Sequence, residues 1–444
     1  MNNTDTQPNG ASNAGAITFA VTALVFLALG CLMLAGRPGF LLGETLTGHG
    51  QAWINLLIFG FGLPAAFGAV YWALPSVFAL PLYSKQMVFL HYGFHLAGLA
   101  IVTAMPFVTD LPQAGMGATF IACGAVVFIV NIALTLRGME RPDAASAFLS
   151  TVCVWLAIVA FLGIPFAAKP PLPFLATTSW SAGWLLFVIA GVFFNTQIAL
   201  ALRVTPAAVG AASERTPAAW FALAVINLGV AWSVAAATFG LLGFLLLTSA
   251  IFLLGALIFL GDFWLLLQRR TARELGWDAK ILLASVWMIP ATAAVLIYNV
   301  VERLGIEPVA AVDPQAAAGL APVVEPAPIT VMALDWTVGL VALMATAVPG
   351  LVAIIFQLLK LRSGVRAETT AREKVAGQVL LASFFNYAVG AGLVVVGAWG
   401  ADQQMLGLGA VFLVVGALGF LGNFLYGLGQ SSDAAEAGTE AVRA

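Results

Sequence analysis

Histidine is scarce in this chain: His49, His91 and His95 are the only three among 444 residues. Any haem or copper chemistry would have to be assembled from that set, because imidazole nitrogens are the usual ligands of both. Charge is scarce too. Asp, Glu, Lys and Arg together make up 9% of the sequence, against about 25% in an ordinary soluble domain, so no soluble domain is expected. A net charge of −2 offers no basic footprint for nucleic acid. The three cysteines, Cys31, Cys123 and Cys153, fall in separate apolar runs, too scattered for a metal knuckle, and read as small apolar fillers. The polar residues 1–14 contain no Lys or Arg and do not read as a cleaved signal peptide.

What is present is apolar surface. Hydrophobic residues make up 61%, the composition of an all-α integral membrane protein whose spans satisfy their own backbone hydrogen bonds. Runs long enough to cross a bilayer, about 20 residues each, fall near 15–36, 50–75, 86–108, 115–137, 147–166, 180–203, 217–239, 241–268, 279–300, 331–361, 376–400 and 404–428. Twelve transmembrane helices within 15–428 are therefore expected. The loops after spans 2, 4, 6, 8 and 10 carry fourteen of the eighteen Lys and Arg residues, whereas the opposite loops carry only Arg37, Lys169 and Arg303. By the positive-inside rule both termini are cytoplasmic, which suits a bacterial-type inner membrane. The outer loop 301–330, rich in Ala, Pro and Val, reads as an irregular cap or docking strap. The acidic, small-residue tail 429–444 is expected to be disordered.

Two stretches carry more information. Span 2 with its exit reads WINLLIFGFGLPAAFGAVYWALP from Trp53 to Pro75, and span 10 opens MALDWTVGLVALMATAVPG from Met332 to Gly350. Both resemble the catalytic subunit I of the heme-copper oxidases, the cbb3-type cytochrome c oxidases in particular. In that family span 2 begins with a haem-ligating His ahead of a Thr-Asn pair and an FGFG-like run. Span 10 carries two haem-ligating histidines in a DWTIGHVHSG motif. Asn55 and the run Ile58-Phe59-Gly60-Phe61-Gly62 fall in register, as do Asp335, Trp336, Thr337, Val338 and Gly339.

The resemblance implies an oxidase-like twelve-helix bundle whose metal ligands have been replaced. Trp53 stands at the span-2 ligand position, and Leu340 and Ala342 at the two in span 10. The family's copper ligands in spans 6 and 7 have no counterpart in Ala182-Gly183-Trp184-Leu185 or in 217–240. Leu and Ala have no lone pair to give, and an indole nitrogen is a donor only. The implied protein has no catalytic residues and no predicted cofactor, with haem b as the one open alternative. It is a non-catalytic subunit or paralogue in the lipid bilayer, whose expected partners are cytochrome c-type or other subunits of a respiratory or nitrogen-oxide complex. A haem, metal or small-molecule handling protein, an oxidase with displaced ligands and an unrelated carrier are the other readings.

His91 and His95 lie four residues apart on one face of span 3. That spacing suits interhelical hydrogen bonding, a metal or haem ligand pair, or proton handling. His49, at the outer mouth of span 2, lies roughly 20 Å from His91 along the membrane normal and cannot share an ion with it. Asn195, Gln197, Asn227, Gln357, Asn386 and Asn423 are expected to bond between helices, and Asp262 to face the inner interface or pair with a neighbour. Pro64, Pro290 and Pro349 predict kinks or local unwinding.

Overall fold

A computed structural model describes residues 13–41, 49–108, 112–167, 187–211, 216–238, 241–269, 275–306, 342–362, 371–399 and 402–443. Every regular element among them is a helix. Among the described residues ten helices are long and apolar enough to cross a membrane, so the chain has the build of a multi-pass membrane protein. The two other expected spans are represented in part. Pro217–Ser233 is a shorter apolar stretch within a helix that runs Pro217–Thr238, and span 10 is described from Ala342 onward.

In chain order the helices are α1 (Ala14–Gly36), α2 (His49–Asn55), α3 (Leu63–Ser76), α4 (Lys85–Val108), α5 (Pro112–Arg137) and α6 (Ala144–Ala167). They continue with α7 (Asn195–Val209), α8 (Pro217–Thr238), α9 (Leu242–Gln268), α10 (Trp277–Ile306), α11 (Val348–Arg362), α12 (Ala371–Trp399) and α13 (Gln403–Arg443). Nine of them form a closed outer ring in the order α1, α4, α5, α6, α8, α9, α10, α12, α13 and back to α1. Inside it α3, α7 and α11 touch one another and fill the centre. The chain therefore repeats one pattern three times, an outer helix, a central one, then an outer hairpin. Burial follows position. The spans Ala52–Ser76 and Val188–Val209 are 89% and 94% buried, whereas the outer spans are 33% to 56% buried; the remainder is surface for lipid. In α11 every residue from Val348 to Leu359 is buried.

Each central helix is entered through a π-helical segment: Leu56–Gly62 before α3, Phe187–Phe194 before α7 and Ala342–Ala347 before α11. Two of the three run into a proline at the second residue of the following helix, Pro64 and Pro349. Proline has no N–H to offer its own turn, and a widened turn is one way for a helix to absorb it. The unwinding expected at these prolines is therefore found. At Pro290 the helix runs through without such a break, and the segment before α7 precedes no proline.

Three further differences from expectation concern ends. His49 opens α2 instead of lying in a loop. α7 continues past Arg203 to Val209, where Gly210 takes the left-handed cap at φ 69°. α13 runs on to Arg443 and takes in most of the tail expected to lack order. Of the outer loop 301–330, residues 301–306 belong to α10 and the rest lies outside the described residues.

On the side expected to be cytoplasmic, two ion pairs tie a central helix to the outer helix before it. Arg203 of α7 pairs with Asp143, and Lys360 of α11 stands 3.6 Å from Asp278 of α10. Asp143 also caps α6, accepting the Ser146 N–H at 2.8 Å while Ser146 Oγ accepts the Asp143 N–H at 3.0 Å. This reciprocal capping satisfies orphan donors at the helix start. Asp262 accepts the Thr216 hydroxyl at 2.6 Å, so it does pair with a neighbour.

Candidate functional site

Trp53, which the resemblance sets at the span-2 ligand position, is buried, its ring 5.8 Å from that of Phe40, and its Nε1 has no hydrogen-bond partner. An indole N–H without a partner is still only a donor, so Trp53 cannot hold haem iron. Ala342 opens the span-10 π segment and brings no donor atom. Leu340, Asp335 and Trp336 lie outside the described residues, as do 182–185 of span 6. Neither an indole nor a methyl group supplies the lone pair that axial ligation of a haem requires.

The span-2 and span-6 π segments meet closely. The Phe193 ring of the span-6 π segment seats on Gly62 of the span-2 segment so closely that a Cβ at Gly62 would overlap it. Phe61 and Phe193, one from each of these segments, are fully buried. Aromatic rings meeting a bare backbone pack the middle of the bundle closely.

Asn55, one of the residues that carry the resemblance, has a structural job. Its Nδ2 donates to the Val102 carbonyl of α4 at 2.8 Å. That carbonyl's helical donor would be residue 106, which is proline, and a membrane interior supplies no water in its place. Asn55→Leu is expected to cost about 1–3 kcal/mol through the unsatisfied carbonyl. In a Pro106→Ala background, where the helix supplies its own N–H, the same change should cost much less. Thermal unfolding of the four detergent-solubilised proteins reads the difference, and equal costs in both backgrounds would refute the account.

His95 plays a matching part. Its Nε2 donates to the Phe59 carbonyl at 2.7 Å. In the π register residue 64 would serve that carbonyl and is proline, while the Leu63 N–H is bonded to Ile58. His91, one turn earlier, shares a hydrogen bond of 3.1 Å between its Nδ1 and Tyr71 Oη. Both histidines are fully buried. Around them stand Phe67, Phe19 and Phe128, with ring centroids 4.5, 4.9 and 5.5 Å from that of His91. Interhelical hydrogen bonding, the first of the three expectations for the pair, is what one nitrogen of each ring does.

His49 is elsewhere. Nη1 of Arg37 lies 3.0 Å from its Nε2 and 3.3 Å from its Nδ1, and the ring stacks edge-on against Phe107 at 5.0 Å. Its ring contacts are therefore with Arg37 and Phe107.

The other interior polar groups bond across helices as expected. Trp155 Nε1 donates to Asn227 at 2.7 Å and Asn227 Nδ2 to Asn195 at 3.1 Å. Asn195 in turn donates to the Ala190 and Gly191 carbonyls of its own π segment, both at 3.0 Å. Gln197 donates to Ser285 at 3.2 Å, and the Thr205 hydroxyl to Gln357 at 3.2 Å. Asn423 reaches the Ala376 carbonyl, whereas Asn386 bonds back within its own helix. Sequence reasoning missed Tyr71 and the Phe59 carbonyl as partners of the histidines. Pro64, five residues after Phe59, was the signal that marked that carbonyl. No protein-family model matches the chain, and no curated protein matches it either.

Proposed function

We propose that this protein is a twelve-span subunit of the heme-copper oxidase type that has given up its catalytic metal centre. It would serve a respiratory or nitrogen-oxide complex of a bacterial-type inner membrane as a structural or assembly component, with both termini cytoplasmic. The observation that carries the reading is the threefold repeat of an outer helix, a π-entered central helix and an outer hairpin. It stands together with residues at the motif-matched ligand positions that own no lone pair. The retained Asn55 holds two helices together and Trp53 occupies the ligand's place, so a bundle of this type can keep its packing while the centre is lost. Cytochrome c-type or related subunits are the partners this reading names.

Purification in mild detergent tests it. The reduced-minus-oxidised spectrum should show no stoichiometric Soret band, and cytochrome-bearing subunits should travel with the chain. Stoichiometric haem with oxygen turnover by the isolated polypeptide would overturn the reading. So would a stable lone chain from which no such subunit can be recovered.

A further inference from the structure

The remaining nitrogens of the buried histidine pair have no place in that function. His91 Nε2 and His95 Nδ1 are fully enclosed and have no hydrogen-bond partner. A carbonyl oxygen only accepts, so the proton of His95 sits on Nε2, facing Phe59, and Nδ1 carries a bare lone pair. Tyr71 Oη can accept as well as donate. With the His91 proton on Nδ1, donated to Tyr71, Nε2 carries the second lone pair. Each imidazole is then held through one nitrogen by a carbonyl or a hydroxyl, and the other is left as a ligand. Metal-binding histidines are oriented in this way.

The spacing fits one ion. The two ring centroids are 6.0 Å apart and the ring planes 84° from parallel. Two metal–nitrogen bonds of about 2 Å, with each ring centre about 1 Å behind its nitrogen, give roughly 6 Å for a near-linear N–metal–N arrangement.

We propose that His91 Nε2 and His95 Nδ1 together bind a single Cu(I) ion in near-linear two-coordination within the membrane. Zn(II), Ni(II) and Fe(II) take four or more ligands, and the described residues hold no group of three or more His, Cys, Asp or Glu. Cu(I), a filled-shell ion, is content with two imidazoles. Its single charge is also the least costly to hold in an apolar cage, and the rings of Phe19, Phe67 and Phe128 pack around His91. Space around His91 is set by Gly124, where a Cβ would stand 3.1 Å from His91 Cδ2. The site does not rest on the oxidase-like reading: a colourless protein that binds copper leaves that reading standing.

Anaerobic titration of the full-length protein with Cu(I) against a chromophoric Cu(I) chelator tests the assignment. One equivalent should bind to the wild type. X-ray absorption should give two nitrogen scatterers at about 2 Å and the intense edge feature of two-coordinate Cu(I). His95→Gln keeps a donor for the Phe59 carbonyl but removes the ligand, and should abolish binding, as should His91→Phe. Tyr71→Phe, which leaves both ligands but frees His91 Nδ1, should weaken it about 10- to 100-fold. Absence of bound copper in the wild type, undiminished binding in His95→Gln, or a spectrum with three or more ligands each overturns the proposal. The wild-type spectrum decides the matter even where a variant does not fold.

Discussion

Arg203→Ala is expected to lower the unfolding free energy by about 3 kcal/mol, because it strands a carboxylate that has little water around it. The Asp143 side chain is 12% exposed and already engaged as the cap of α6. Its charge is balanced by Arg203, whose guanidinium lies 5.2 Å from the centre of the Phe78 ring. Arg203 itself is 26% exposed, which holds the estimate at the lower end of the range for breaking a buried pair. The partner substitution should be milder. Asp143→Asn keeps an acceptor for the Ser146 N–H, and an arginine near the interface can extend its head toward water. Arg203→Lys should fall between the two, since a point charge replaces a planar fork. The exposed Arg137 at the end of α5 is the control, with an expected effect within about 0.5 kcal/mol. Thermal unfolding in detergent ranks the four. Arg203→Ala no worse than Arg137→Ala would show that the pair contributes nothing.

Phe193→Ala should cost about 2–4 kcal/mol. A Phe-to-Ala change in a soluble core costs about 3–5 kcal/mol, but part of that is transfer from water, which a helix already in lipid does not feel. What remains is the lost packing of a fully buried ring against the backbone at Gly62. Gly62→Ala pushes the other way, driving a methyl into that ring at about 1–3 kcal/mol. Because the two changes act on the same space, the double variant should be more stable than the sum of the single costs predicts. Strict additivity would mean that Phe193 does not sit on Gly62. The experiment bears on the fold as well, since this ring joins the span-6 π segment to the span-2 one.

Much of the architecture was legible from composition. The helix ends fall within a few residues of the expected ones for most spans, as α1, α4, α8 and α9 illustrate. Span 6 ran longer than expected because Arg203 was taken to mark a boundary. A long basic side chain can remain helical when a carboxylate from the neighbouring helix meets it, and Asp143 does. In the tail, Ala and Glu residues favour helix, and α13 runs on through it to Arg443. At the histidines the four-residue spacing identified a shared face, but not which nitrogens are occupied. Phe59 and Tyr71 reach them from another helix, and the sequence contains no measure of that approach.

By itself the sequence determined that this is an apolar helical chain, which of its loops are basic, and that it holds three imidazoles in all. These are local quantities, set by residue type and by the length of chain a bilayer requires. Only the tertiary structure decided that three π-entered helices stand inside a ring of nine, and that Asn55 and His95 answer carbonyls whose own donors are prolines. It also decided that two histidine nitrogens are left facing no partner. In a medium without water every backbone oxygen must be met by something, and what meets it depends on which helices lie side by side.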